Sequence, residues 1–187
     1  MLLEYGLLVV AAIVVVWVVW TYNRLVRLRM LSRNAWADID VQLKRRHDLI
    51  PNLVETVEGY AGHERRTLRE VVEARSRAMS ARTPGDRAEA EANLGASLKS
   101  LFALAESYPE LRAADSFRQL HSSLENIEDA IQNARRYYNA VVRDLNTRVE
   151  VFPDNLVART LGFKPREFFR VGGGEREAPQ VQIKSTE

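Results

Sequence analysis

Cysteine is absent from this chain of 187 residues, and glycine and proline are scarce, with nine and six residues. The first absence excludes disulfide frameworks, thiolate metal sites and cysteine nucleophiles. The second argues against a turn-rich β-sandwich and favours long helices. Hydrophobic residues make up 46% of the sequence and charged residues 28%, which fits neither a disordered chain nor a polytopic membrane protein.

One long apolar run lies near the amino terminus. Residues 5–22 are interrupted only by Gly6 and Thr21, and a run of this length is sufficient for a helix to cross the hydrocarbon core of a bilayer. No basic region precedes the run and no small-residue cleavage site follows it, which disfavours a signal peptide; a buried core helix is the other alternative. We therefore predict a short amino-terminal end at 1–4 and a transmembrane helix at 5–22.

Aromatic residues lie at the carboxyl end of the run, and basic residues follow it. Such rings favour the membrane interface, and arginines favour anionic lipid headgroups. The expected interface residues here are Trp17, Trp20, Tyr22, Arg24, Arg27 and Arg29. Because only Glu4 precedes the run, the positive-inside rule predicts the amino terminus outside and the carboxy-terminal domain in the cytoplasm.

Apolar residues at alternating steps of three and four predict long helices after the run. The first is expected to continue from the membrane helix to about Ala61, with a local kink at Pro51. Further helices are expected at 63–80, from a cap at Asp86 to about 107, from 115 to about 152, and at 155–161. The predicted fold class is all-α: an antiparallel four-helix bundle over 23–170 on a single transmembrane helix, with a short carboxy-terminal helix and a flexible polar tail at 171–187.

The unequal lengths of these helices predict an uncovered surface close to the membrane. The two long helices would face each other there without a lid from the two shorter ones. We call these residues the proximal seam: Trp36, Ile39, Leu43, Tyr138, Val141 and Leu145. Exposed apolar surface of this kind usually marks an interface, so we expect self-association through the seam. The alternatives are that the fourth helix bends, or that the segment after Phe152 folds back to fill the gap.

Two smaller features lead to specific expectations. Phe168 and Phe169 lie among basic residues and are expected at the membrane interface, or alternatively as a plug in the open base of the bundle. Arg46 occupies an inward heptad position, and antiparallel matching of the long helices places it near Glu128. We expect an ion pair that fixes the register, because an unpaired buried guanidinium is costly; the alternative is that Arg46 extends outward to water.

The charge is distributed unevenly along the chain. Residues 24–46 carry seven bases and two acids, whereas residues 86–129 carry four bases and nine acids. The basic end suits anionic headgroups, and the acidic distal end is either a solvated face or a docking surface for a protein partner. Nucleic-acid binding is disfavoured, since the basic excess would lie at the bilayer.

Catalytic signals are weak. The three histidines, His47, His63 and His121, match neither H-E-x-x-H nor the Glu-x-x-His pairs of di-iron bundles. The triple glycine at 172–174 does not stand between a strand and a helix, as a phosphate-binding loop requires. We expect no enzymatic activity, no catalytic or metal-ligating residues and no cofactor.

Several motifs closely resemble the LemA family. The sequence reads AWADIDVQLKRRHDLIPNLVETV at 35–57, GYAGHE at 59–64, AESYPEL at 105–111, ARRYYN at 134–139 and FPDN at 152–155. The resemblance covers most of residues 22–169, with one departure at His47. It implies a bacterial, single-pass, amino-terminally anchored helical bundle of the cell membrane without established enzymatic activity. Some members of that family are associated with organising specialised membranes.

These observations lead to two functional hypotheses. The first is a membrane-anchored scaffold that forms homo-oligomers and organises or remodels the bilayer. The second is a membrane-tethered adaptor that presents its acidic bundle to another membrane or stress-response protein, for example a protease.

Overall fold

The computed structural model describes residues 2–170, and the tail predicted at 171–187 lies outside them. The described part contains six helices and no strand, which confirms the all-α class. The helices are α1 (Leu2–Ala61), α2 (Arg65–Ser80), α3 (Pro84–Ala105), α4 (Pro109–Ala113), α5 (Asp115–Glu150) and α6 (Asp154–Thr160).

Helix α1 is a single rod of 60 residues that joins the apolar run to the bundle without interruption. It runs through Pro51, whose ring nitrogen has no hydrogen to donate to the carbonyl of His47 four residues earlier. Arg75 of α2 supplies the missing donor, because its Nε lies 2.8 Å from that carbonyl oxygen. The proline thereby creates an attachment point for the second helix.

The connection between α2 and α3 is a capped turn. The hydroxyl of Thr83 accepts a hydrogen bond from the backbone nitrogen of Asp86 at 3.1 Å, and Pro84 occupies the first turn of α3. The expected cap at Asp86 is therefore wrong: Thr83 caps the helix, because a threonine followed by proline places its oxygen over the free N–H groups. The short helix α4 has no counterpart in the sequence-based prediction.

Three clusters of buried side chains follow one another along the bundle. The distal cluster joins α1 to α5 and includes Val57, Val71, Leu98 and Leu124. The middle cluster joins the long helices to the segment after α6 and contains Ile39, Tyr138, Val142 and Phe169. The basal cluster lies where α1 leaves the apolar run, and its members are Leu25, Leu145, Val149, Val157, Ala158 and Phe163.

Candidate functional site

The base of the bundle packs directly on the end of the apolar segment, by which we mean residues 5–22. Trp17 and Val18 of this segment are partly buried against the basal cluster. Thr21 is buried, and its hydroxyl lies 3.5 Å from Oδ1 of Asp154 at the start of α6. The other oxygen of Asp154 accepts a hydrogen bond of 2.6 Å from Arg148. The segment and the bundle therefore share one packed base.

Most of the apolar segment is exposed. An 18-residue window of α1 has a mean hydropathy of 2.3 and no buried residue, so this helix is long and apolar enough to cross a membrane. Trp20 and Tyr22 are exposed at its carboxyl end, and the guanidinium of Arg24 lies 5.2 Å from the centre of the Trp20 ring. Arg27 is also exposed.

Arg29 differs from its two neighbours in the expected set of interface residues. It is only partly exposed, its guanidinium lies 5.0 Å from the centre of the Phe163 ring, and its Nε has no hydrogen-bond partner. It covers the basal cluster, whereas Arg24 and Arg27 are exposed.

The end of the described chain forms a strap, residues 163–170, along the two long helices. Two asparagines of α5 seven residues apart hold it, each through a pair of backbone hydrogen bonds. Asn139 donates to the carbonyl of Phe169 and accepts from its N–H at 3.1 and 2.9 Å. Asn146 does the same to Arg166 at 2.9 and 2.8 Å. Seven residues make about two helical turns, so both amides project from one face of α5.

The strap corrects the expectation for Phe169. Its side chain is 1% exposed and packs 5.8 Å from the Trp36 ring, centre to centre, so it belongs to the core and not to the membrane interface. Phe168 is partly buried against the same cluster, with Arg170 stacked over its ring. The physical reason is that the strap runs along α5 away from the apolar segment. Phe169 thereby enters the apolar groove between the two long helices, where its ring is shielded from water.

The same strap corrects the expectation for the proximal seam. Ile39, Leu43, Tyr138, Val141 and Leu145 are all buried within one chain, and only Trp36 remains partly exposed. The strap covers the part of the seam farther from the apolar segment, and α6 covers the part nearer to it. The seam is thus closed without a second copy, as in the alternative in which the segment after Phe152 folds back.

Tyr138 shows how tightly the strap covers this groove. Its hydroxyl donates to the carbonyl of Glu167 at 2.9 Å, and its ring lies edge-on to Trp36. Burial raises the pKa of Tyr138 above its ordinary value, because an ionised phenol is poorly solvated there.

A charge cluster lies inside the bundle at the predicted position of Arg46. Arg46 is 6% exposed, and its Nη1 lies 3.2 Å from Oε2 of Glu128. The expected contact between Arg46 and Glu128 is therefore present, whereas its role in fixing the register stays a prediction. Glu128 itself reaches partly into solvent, so the pair is only half enclosed.

The more deeply buried partner of Arg46 is Glu91 of α3, which sequence reasoning missed. Glu91 is 5% exposed; its Oε2 lies 3.5 Å from Arg46, and its Oε1 lies 2.7 Å from Nε2 of the buried His47. The spacing of α3 could have indicated that Glu91 is buried, since Glu91 stands three residues before Leu94 on the inward face of this helix. Gly95 leaves room for the guanidinium: a Cβ there would lie 3.2 Å from Nη2 of Arg46.

The arrangement of charged groups does not resemble a metal centre. Residues 2–170 contain no group of three His, Asp or Glu side chains placed to hold an ion.

The pKa of Asp48 on the outer face of α1 is lowered, chiefly by the hydrogen bond from Lys44 one turn earlier.

A cleft of about 470 Å³ opens at the distal end of the bundle. Phe102, Phe117 and His121 form an aromatic group in it, with the rings of Phe102 and His121 4.3 Å apart, centre to centre. Arg112, Arg118 and Glu106 line the same cleft, and the surrounding residues 86–129 are acidic as a whole.

The model of one protein family, described as the LemA family, matches residues 35–183. The chain belongs to the LemA family. The match covers the middle cluster, the buried charge cluster and the strap, whereas the apolar segment precedes it. With its apolar amino-terminal helix, this LemA protein is membrane-associated and belongs to a bacterial family.

Several curated proteins are similar to this LemA chain. Magnetosome protein MamQ 2 of Paramagnetospirillum magneticum is 26% identical over 175 residues, and Magnetosome protein MamQ of Magnetospirillum gryphiswaldense is 25% identical over 174 residues. The alignments cover 80% and 79% of this chain. This chain spans 64% of the length of either relative. Protein LemA of Metamycoplasma hominis is 25% identical over 158 residues, covering 82% of this chain and 71% of that protein.

Proposed function

We propose that this protein is a non-enzymatic scaffold of the bacterial cell membrane that self-associates and organises or remodels the bilayer. Residues 5–22 cross the membrane, the amino terminus lies outside, and the bundle stands in the cytoplasm. Arg24 and Arg27 bind anionic headgroups beside the Trp20 and Tyr22 rings. The similarity to proteins named for the magnetosome supports a role in organising a membrane structure.

The observation that carries this proposal is the shared base of segment and bundle. Trp17 and Val18 pack into the basal cluster, and Thr21 contacts Asp154. A helix that passes from the bilayer into a bundle without a flexible joint holds that bundle at a fixed angle to the membrane. A rigid body on a rigid anchor can impose spacing and orientation on neighbouring copies.

Closure of the proximal seam leaves the apolar segment as the surface for self-association. A groove runs along it, lined by Val9, Ala12, Ile13, Val16, Trp17 and Trp20. Small residues between larger ones allow close helix approach in membranes, where van der Waals packing drives association. Ala12 provides such a position.

The mass of the full chain in lipid nanodiscs or mild detergent tests the proposal. We expect a homo-oligomer that Ala12→Leu weakens, because the larger side chain fills the groove. Ala11→Leu is the matched control, since Ala11 does not line the groove. A solitary particle at every protein concentration would overturn the scaffold.

A second candidate function is an adaptor, which the distal cleft favours. Its aromatic group and Arg112 offer apolar and charge-assisted contacts to a protein partner, whereas Arg118 pairs with Asp115. This alternative predicts a monomer with a defined partner that co-purifies, and Arg112→Glu should release that partner. An oligomer with no such partner argues against it.

A further inference from the structure

The turn after α5 and helix α6 carry large apolar side chains that nothing in residues 2–170 covers. We call these four residues the basal patch: Val151 (55% exposed), Phe152 (74%), Leu156 (53%) and Leu161 (49%). They lie within eleven consecutive positions, whereas Val157 and Ala158 between them are buried in the basal cluster. Four exposed apolar side chains this close in sequence are surface of the kind that marks an interaction site.

The contacts of α6 fix the height of this patch along α1. Asp154 meets Thr21, and Phe163 lies 6.1 Å from Tyr22, ring centre to ring centre. Trp17, which also packs against the basal cluster, lies about 7.5 Å closer to the amino terminus than Tyr22 at about 1.5 Å per residue. The basal patch therefore stands beside the last turns of the apolar segment.

The length of the apolar segment places those turns in the bilayer. Its 18 residues extend about 27 Å, slightly less than the roughly 30 Å thickness of the hydrocarbon core. All of its turns are needed to cross, so Trp17 and Val18 lie at or inside the hydrocarbon boundary. Whatever packs on them lies among the headgroups of the same leaflet.

The charges around the patch fit a lipid surface. From the last residue of α5 to residue 164 the exposed charged side chains are Glu150, Arg159 and Lys164, so bases outnumber acids. Asp154 is buried against Arg148 and Thr21. Exposed apolar residues flanked by bases are typical of structures that rest in the interface with their apolar face in the acyl boundary.

We propose that the basal patch inserts into the interface of the bilayer, so that the protein grips one leaflet with a second contact beside its anchor. The inference rests on the membrane span proposed above for residues 5–22. It does not depend on self-association. The side chains that enter the bilayer are Phe152, Leu156, Leu161 and Val151, not Phe168 and Phe169.

The absence of cysteine makes the test clean, because a single introduced cysteine is the sole labelling site. Full-length variants Phe152→Cys, Leu156→Cys and Leu161→Cys are spin-labelled and reconstituted in vesicles of phosphatidylcholine and phosphatidylglycerol. Collision with oxygen, which partitions into lipid, is compared with collision with a water-soluble nickel chelate. Val72→Cys and Met79→Cys are matched controls, since these apolar residues of α2 are similarly exposed (48% and 54%) but distant from the base.

We expect the ratio of oxygen to nickel collisions to be several times higher at the three basal positions than at the two controls. A ratio equal to that of the controls overturns the proposal, because it places the patch in water. Low collision with both reagents also overturns it and assigns the patch to a protein contact with a second copy.

A charge substitution and a reference position complete the test. Phe152→Glu together with Leu156→Glu should lower the ratio at a label on Leu161, whereas Val72→Glu together with Met79→Glu should not. A label at Val14 reports the span itself. A lipid-like ratio at Val14 with a water-like ratio at the base refutes the second contact alone, whereas a water-like ratio at Val14 refutes the span on which it rests.

Discussion

Arg46 is enclosed by two carboxylates, and its removal should be among the most damaging single changes in the bundle. Arg46→Met leaves Glu91 buried without its cation, and breaking a buried pair in this way costs about 3 to 5 kcal/mol of unfolding free energy. Glu128→Gln should cost much less, because Glu128 is partly solvated and Glu91 remains. Thermal and urea unfolding in detergent measure the order of the variants.

The control for this prediction is Lys44→Met, which removes an exposed ion pair to Asp48 on the same helix and should change stability little. Equal losses for Arg46→Met and Lys44→Met would contradict the role of the cluster. Exchanging the charges of Arg46 and Glu128 should not restore stability, because a carboxylate at position 46 would then face the buried carboxylate of Glu91.

The contact between Arg75 and the carbonyl of His47 yields a second prediction at the scale of the residue. Pro51→Ala supplies a backbone N–H to that carbonyl, so Arg75 is no longer its only donor. Arg75→Met should therefore cost less in the Pro51→Ala background than in the wild type, by about 1 to 3 kcal/mol for a charged hydrogen bond. A double-mutant cycle of unfolding free energies measures this coupling.

Arg66→Met serves as the matched control for that cycle, since Arg66 is exposed on the same helix and pairs with Glu70. Its effect should be the same with proline or alanine at position 51. Additive effects of Pro51→Ala and Arg75→Met would show that the proline and the arginine act independently.

At the scale of the element, the sequence predicts the regular helices well and the strap poorly. Steps of three and four between apolar residues locate α1 and α5 within a few residues, because burial against a neighbour imposes that spacing on a helix. The strap has no periodicity, and its hold on α5 comes from the amides of Asn139 and Asn146, which read as ordinary surface residues in the sequence. Its destination depends on a groove that exists only after the long helices have paired.

The same dependence on how the helices pack explains which contacts of the site residues the sequence predicts and which it misses. The contact of Arg46 with Glu128 follows from antiparallel helix matching, whereas that with Glu91 requires the position of α3 across the bundle. The sequence singles out Phe168 and Phe169, but composition alone does not distinguish Phe169, which is buried, from Phe152, which is exposed. The direction in which the chain turns after α5 decides between them.

Because the strap closes the seam, loss of its buried side chain Phe169 should loosen the middle cluster. Phe169→Ala removes a buried ring beside Trp36 and Tyr138, and such truncations cost about 3 to 5 kcal/mol. Tyr137→Ala is the matched control on α5, since Tyr137 is exposed and its loss should stay within about 0.5 kcal/mol. Chemical unfolding in detergent measures both.

Equal stability of the two variants would show that the strap contributes no packing. Mass measurement of Phe169→Ala adds a second readout. An opened seam exposes apolar surface and should favour association that the wild-type bundle does not make through this face.

At the scale of the whole molecule, the charge asymmetry along α1 predicts the proposed orientation in the membrane. Bases follow the apolar segment and almost no charge precedes it, so the bundle should remain in the cytoplasm. In spheroplasts, a membrane-impermeant maleimide should label Leu3→Cys at once but label Met79→Cys only after the membrane is permeabilised. Both positions are exposed, so accessibility within the fold does not limit either reaction.

The arginines that would set this orientation can be tested in the same assay. Arg24→Gln and Arg27→Gln together remove two exposed charges close to the segment, and labelling of Met79→Cys in intact spheroplasts should then rise as a fraction of the chains insert inverted. Arg66→Gln with Arg69→Gln removes the same charge from α2, far along the chain, and should leave orientation unchanged. Labelling of Met79→Cys without permeabilisation in the otherwise unaltered chain would place the bundle outside, where the basic residues could not bind the headgroups of the cytoplasmic leaflet.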